Sequence, residues 1–159
     1  MKRPSIWNWF KRLISGEPHF KIGGSDSPYM LRWFVLPRNG RFNIYLHKFL
    51  RDDDDRALHD HPWWFISIMV KGGYVETLAC EHEDVVIERK SPSIAYRSAT
   101  ARHRVALFKN SDGTAKPCWT IVITGRKARE WGFWCPKGFV PWQKFVAQDD
   151  EGNVGKGCE

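Results

Sequence analysis

The run His59-Asp60-His61-Pro62, continuing as Trp63-Trp64-Phe65-Ile66-Ser67-Ile68-Met69-Val70 and closing on Lys71-Gly72-Gly73, decides how the chain reads. Side chains alternate along an extended strand, so two histidines two residues apart project from one face and both imidazoles reach a single metal ion. The apolar run that follows is β-prone and predicts a strand over 63–70. Gly72-Gly73 predicts a tight hairpin turn, with the return strand over 74–79. The histidines then sit at the mouth of a strand that enters the core. His103 lies in a later apolar stretch and is expected to join them.

Upstream, strands are expected over 29–36 and 42–50, joined by the turn Pro37-Arg38-Asn39-Gly40. In the second strand Asn43, Tyr45, His47 and Phe49 share one face, while Ile44, Leu46, Lys48 and Leu50 share the other. Which face looks inward stays open at this point, and His47 is carried as a candidate pocket residue. Downstream, strands are expected over 85–89, 94–97, 104–108, 119–124 and 131–134, separated by turn signals such as Ser91-Pro92-Ser93 and Asn110-Ser111-Asp112-Gly113. Many short strands at this spacing indicate a β-sandwich or barrel.

The ends read differently. Residues 1–16 predict a short amphipathic helix, with Ile6, Trp9, Phe10, Leu13 and Ile14 near one face and Gly16 as the stop. Packing against the barrel is the expected role. Lys2, Arg3, Lys11 and Arg12 flank the aromatic face and leave a membrane-surface or partner helix as the alternative. Residues 148–159 are polar and glycine-rich and predict a disordered tail.

A chain of 159 residues suits a single domain with a real core. The net charge of +7 favours anionic small molecules. Nucleic acid is not expected, because no matching motif accompanies the charge. The four cysteines, Cys80, Cys118, Cys135 and Cys158, form no C-x-x-C pair, which excludes a zinc ribbon or a thioredoxin-like site. No transmembrane segment and no secretory signal is visible, so a cytoplasmic protein with free thiols is the expectation. No nucleophilic triad, P-loop or dinucleotide fingerprint is present.

An H-x-H at a strand entrance, a glycine turn further on and a later histidine, set in an all-β chain of this size, resemble the cupin superfamily over about residues 29–145. The resemblance implies an all-β, double-stranded β-helix (jelly-roll) barrel holding a divalent metal at one mouth. It carries His59 and His61 onto the first motif, Gly72 onto its turn and His103 onto the second motif. The longer string from His59 to Glu76 is similar to a group of small cupin-like proteins of phages and bacteria. Two features depart from the pattern. Phe65 and Ile66 stand where the superfamily has a ligating glutamate, and Ser98-Ala99-Thr100-Ala101 replaces the usual P-x-G before the last histidine.

Three imidazoles with open positions suit iron(II), zinc, nickel, copper or manganese, and the set resembles that of cysteine-dioxygenase-type cupins. Glu76 is a candidate fourth ligand if its face points inward. Asp60 faces away from its histidine neighbours and is expected to make a supporting hydrogen bond. Arg97, Arg102 and Arg104 flank His103, and Arg97 is the preferred anion clamp. His47 and Trp119 complete the candidate substrate contacts. The expected function is a metal-dependent small-molecule enzyme, dioxygenase-like, acting on an anionic substrate. The alternatives are a barrel that binds a small anionic or nucleotide-like ligand without turnover, and a structural or assembly protein. A homodimer is kept open as the assembly.

Overall fold

A computed structural model of the chain describes residues 5–24, 26–52, 57–146, 155 and 157–158. In chain order the elements are α1 (Ile6–Ser15), β1 (Phe20–Ile22), β2 (Met30–Phe34), β3 (Asn43–Phe49), β4 (Leu58–His59), β5 (Phe65–Lys71), β6 (Gly73–Leu78), β7 (Val85–Lys90), β8 (Ser93–Arg97), β9 (His103–Leu107), β10 (Cys118–Thr124), β11 (Gly132–Cys135), β12 (Gly138–Pro141) and α2 (Trp142–Phe145). The strands form two six-stranded sheets, ordered β1-β2-β3-β10-β5-β8 and β12-β11-β4-β9-β6-β7. From β3 onward the chain passes back and forth between the sheets, which is how an antiparallel double-sheet roll protects its edges.

That alternation corrects two expectations. Lys71-Gly72-Gly73 is not a hairpin turn: β5 pairs with β10 and β8, whereas β6 pairs with β7 and β9 in the other sheet. Gly72, at φ 76°, is a corner that carries the chain across, and a Cβ there would lie 3.0 Å from Cys118 Cβ and from Pro117 O. Nor do the histidines lead straight into β5. His59 ends a short strand of its own, β4, in the second sheet, and Pro62 to Trp64 cross to the first.

Alternation settles the faces. Asn43, Tyr45 and His47 of β3 are buried, as are Phe65, Ser67 and Met69 of β5 and Thr120 and Thr124 of β10. Register places Thr120 opposite both His47 and Met69, so these side chains share the interior. Much of that interior is polar: Asn43, His47, Ser67, Glu76, His103, Thr120 and Thr124 are all buried. Apolar packing concentrates instead in one cluster of Met69, Tyr74, Leu107 and Cys118 and another of Ala57, Phe133, Cys135 and Phe145.

The predicted helix is present, capped by the Ser5 side chain on Asn8 N and ended by Gly16 in the left-handed conformation. Trp9 and Leu13 are half-buried, and Trp9 Nε1 donates to Phe34 O at 2.7 Å. Ile6, Trp7, Phe10 and Ile14 are exposed, so only part of the apolar face packs on the barrel. His19 ties helix to sheet, its Nε2 bonding Trp9 O at 3.0 Å and its Nδ1 accepting from Phe34 N at 3.2 Å. At the other end the expectation of four free thiols is corrected. Cys135 and Cys158 form a disulfide, which no local cysteine spacing announces because 23 residues separate them. The expected disordered tail lies largely outside the described residues. Of those described, Gly155 N donates to Phe145 O at 2.8 Å.

Candidate metal centre

β4 and β9 pair through a single residue match, His59 opposite His103. This is what brings the two histidine motifs together. His61 follows Asp60 out of β4 and is held by its own N–H, which donates to Ala99 O at 3.2 Å. The three imidazoles each offer a nitrogen, and these nitrogens lie within 4.8 Å of one another. Ring centroids are 4.9 Å apart for His59 and His103, 5.1 Å for His59 and His61, and 5.1 Å for His61 and His103.

Glu76 reaches the site from β6. It is 2% exposed and accepts from His103 Nδ1 at 2.9 Å. Arg97 closes on both carboxylate oxygens, with Nε 3.0 Å from Oε1 and Nη2 on Oε2, and Arg89 Nε adds a bond of 3.2 Å. Burial works to raise the Glu76 pKa, but the hydrogen bonds from His103 and Arg97 outweigh it and hold the carboxyl at about 2. An ionised Glu76 can only accept, so His103 Nδ1 carries a proton toward it. His61 Nε2 and His103 Nε2 share a hydrogen bond at 2.8 Å. With its proton on Nδ1, His61 would present an unprotonated Nε2, the form that ligates a metal.

The donor set therefore fits a borderline transition metal. Three imidazole nitrogens converge, and one is oriented by a carboxylate as metal-bound histidines commonly are. Burial lowers the pKa of His59 to about 3, with the charge of His103 adding to it. His61 is pushed well below the usual histidine range, first by burial and then by the charges of His59, His103, Arg32 and His47. Neutral imidazoles at ordinary pH are the form that ligates. Phe65 and Phe133 wall the site, with centroids 4.8 Å from His61 and 5.7 Å from His59, and Trp131 stacks along His61 at 6.2 Å. Phe65 stands where the superfamily pattern has its glutamate, so no carboxylate enters from that position.

Asp60 faces away from the histidines, as its place in the strand implies, and anchors them from behind. It is 1% exposed and accepts from Arg129 Nη1 at 2.6 Å, Gly132 N at 3.0 Å and Trp134 Nε1 at 3.2 Å.

The other sequence-predicted residues are dispersed. All three donor nitrogens of Arg97 are engaged, with Nη1 on Tyr96 O at 2.7 Å, so it positions Glu76. Arg102 lies over Trp134 at 4.6 Å, and Arg104 is exposed. Trp119 sits on the outer face of its sheet, stacked on Trp33 at 5.5 Å and beneath Lys48. His47 does face inward, from the sheet opposite the triad, and accepts from Arg32 Nε at 2.9 Å. Arg32 was missed in the sequence. The signal that would have found it is the hairpin register, which pairs Arg32 with His47 once the turn at 37–40 is fixed.

No family model matches the chain, and no curated protein does. Solved structures do. Hydroxypropylphosphonic acid epoxidase from S. wedmorenis aligns with a TM-score of 0.50 at 11% identity over 65% of this chain. HppE in its iron(II) form with the alternative substrate (S)-1-HPP gives 0.50 at 12% identity over 64%. In both comparisons the chain spans about half the length of the matched protein, 53%. An uncharacterised conserved protein with a double-stranded β-helix domain, from Klebsiella pneumoniae, gives 0.50 at 13% identity over 71% of this chain and 90% of its own. With two antiparallel sheets, alternating connections and these neighbours, the chain has the cupin-type fold, a double-stranded β-helix.

Proposed function

We propose that this protein is a metal-dependent small-molecule enzyme, with His59, His61 and His103 as ligands and an anionic substrate. The convergence of three histidine nitrogens within 4.8 Å, one of them oriented by Glu76, carries the reading. When bound, a divalent ion supplies Lewis acidity and, if it is iron, one-electron redox chemistry. The residues do the rest. Glu76 holds the His103 proton on Nδ1, Arg97 and Arg89 hold Glu76 ionised, and Phe65, Phe133 and Trp131 keep bulk water from the histidines. The iron(II) form of HppE with its substrate supports an oxygenase-like chemistry by likeness of fold alone. Three neutral ligands leave the charge of the ion uncompensated, which favours an anionic substrate.

Protein purified without added metal should carry about one equivalent of a transition metal by elemental analysis. His103→Ala should lose it. Oxygen uptake that depends on both iron and a small anion would establish the oxygenase. Metal content unchanged in His59→Ala, His61→Ala and His103→Ala would reject the centre. Metal with tight anion retention and no turnover would favour the binding-protein reading.

A further inference from the structure

We infer that the interior face of the first sheet carries an oxyanion seat built on Arg32, with Thr120 beside it, and that it binds the carboxylate or phosphoryl group of the substrate opposite the three histidines. Arg32, His47 and Thr120 form one cross-strand row over β2, β3 and β10, with Arg32 opposite His47 and His47 opposite Thr120. All three point into the barrel, because partners directly opposite share a face.

Arg32 is fixed in place and, among the described residues, left without a counter-charge. Its Nε donates to His47 Nε2 at 2.9 Å and its guanidinium lies over the Tyr45 ring at 4.8 Å. Among the described residues no carboxylate lies within ion-pair or hydrogen-bond distance of it. Those contacts commit one edge and one face of the guanidinium. The Nη1–Nη2 side makes no hydrogen bond or ion pair among the described residues, and that side forms the fork that grips a carboxylate or phosphate. Arg97 and Arg89 differ, since both rest on Glu76.

Thr120 is a second and independent observation. Its side chain is 1% exposed, and Oγ1 has no hydrogen-bond partner. A buried hydroxyl without a partner is costly, and an oxyanion beside it would accept its proton. Charge points the same way. Among the described residues facing this interior, three guanidiniums, Arg32, Arg89 and Arg97, stand against the single carboxylate of Glu76, before any metal is added. A half-buried guanidinium without a counter-charge is a ready partner for an anion. The seat lies across from the triad, since its row belongs to the inner face of the first sheet and His59 and His103 pair in the second.

The inference deepens the proposed function by naming the group that recognises the substrate, yet the seat does not need the metal. The test titrates inorganic phosphate, methylphosphonate and acetate separately into the protein, as purified and after chelation, and reads binding by calorimetry and by the shift in melting temperature. At least one probe should bind and raise the melting temperature in both forms. Preference for phosphate and methylphosphonate over acetate would identify a phosphoryl substrate, and the reverse a carboxylate.

Arg32→Gln keeps a donor for His47 but removes the charge. It should weaken the bound probe at least ten-fold, keep its metal content, and melt no lower than wild type when no anion is present. Arg32→Lys, which keeps the charge but loses the fork, should also weaken binding, and Thr120→Val should do so a few-fold. Equal probe binding in wild type, Arg32→Gln and Arg32→Lys overturns the seat. So does the absence of binding by all three probes. An Arg32→Gln protein that melts lower and shows no anion-dependent loss assigns Arg32 a structural role and also overturns it. Metal loss in the histidine variants bears on the centre alone, so the two readings fail separately.

Discussion

Glu76 couples the stability of the protein to its chemistry. Its carboxyl, held at about 2, is depressed, so the stabilisation is complete above its unfolded value near ~4.3 and is lost as pH falls from there toward 2. His59, lowered to about 3, acts in the same direction from a higher starting point. The unfolded chain takes up that proton near ~6.5 while the folded protein refuses it, so stability falls as pH drops below that value. For this one histidine the loss at about pH 5 is about 2 kcal/mol. Melting temperature should therefore decline steadily from about pH 7 to about pH 4, and a flat profile over that window would contradict the buried neutral imidazole. Glu76→Gln should lower metal affinity by roughly 10–100-fold, the usual cost of losing the carboxylate behind a ligating histidine. It should also flatten the lower part of the acid limb, because the depressed carboxylate is gone. Elemental analysis against a graded chelator and thermal melts at several pH values check both.

At the scale of elements, β4 shows what was legible and what was not. Histidine spacing, the β-prone run after it and the turn residues were enough to expect an all-β barrel, and the pairing of His59 with His103 joins the two motifs the sequence singled out. The crossing between sheets was not legible. Gly72 has the same sequence signature whether the chain doubles back in one sheet or passes to the other, and only long-range pairing with β10 and β9 decides. The role of Asp60 was half legible: alternation turned it away from the histidines, but its partners Arg129, Gly132 and Trp134 lie far along the chain. Because Asp60 ties β4 to β11 from a buried position, Asp60→Ala should cost about 3 kcal/mol, leaving the Gly132 amide and the Trp134 indole without their acceptor and Arg129 without its counter-charge. A denaturant midpoint close to wild type would show that β4 is held by its backbone alone. In α1 the periodicity identified the helix but overstated its packing. Trp9→Ala should cost about 2 kcal/mol through lost burial and the bond to Phe34 O, while Ile6→Ser and Ile14→Ser should stay within about 0.5 kcal/mol. Chemical denaturation of the three variants separates the two faces of the helix.

For the molecule as a whole, the disulfide between Cys135 and Cys158 ties the far end of the described residues to β11. Composition predicts that residues 148–159 bury too little to order, and most of that stretch lies outside the described residues. Its described residues have partners: Cys158 reaches Cys135 on β11, and Gly155 N and Gly157 N both meet Phe145 O. Phe145 is 2% exposed and stacks on Phe133 at 3.7 Å, while Phe133 in turn walls His59. The disulfide thus closes the chain over the aromatic cluster that backs one metal ligand. Constraining a loop with a sequence separation of 23 removes entropy from the unfolded chain worth about 3 kcal/mol. Reduction with a thiol, Cys158→Ser and deletion of 148–159 should each lower stability by a similar amount, within about 1 kcal/mol of one another, since all three remove the same constraint. Cys80→Ser should leave stability unchanged, because that thiol is exposed and free. If the deletion melts like the full chain under oxidising conditions, the disulfide contributes nothing. If the deletion costs clearly more than reduction does, the backbone bonds to Phe145 O carry part of the load, and the segment would stabilise the aromatic cluster even in a reducing compartment.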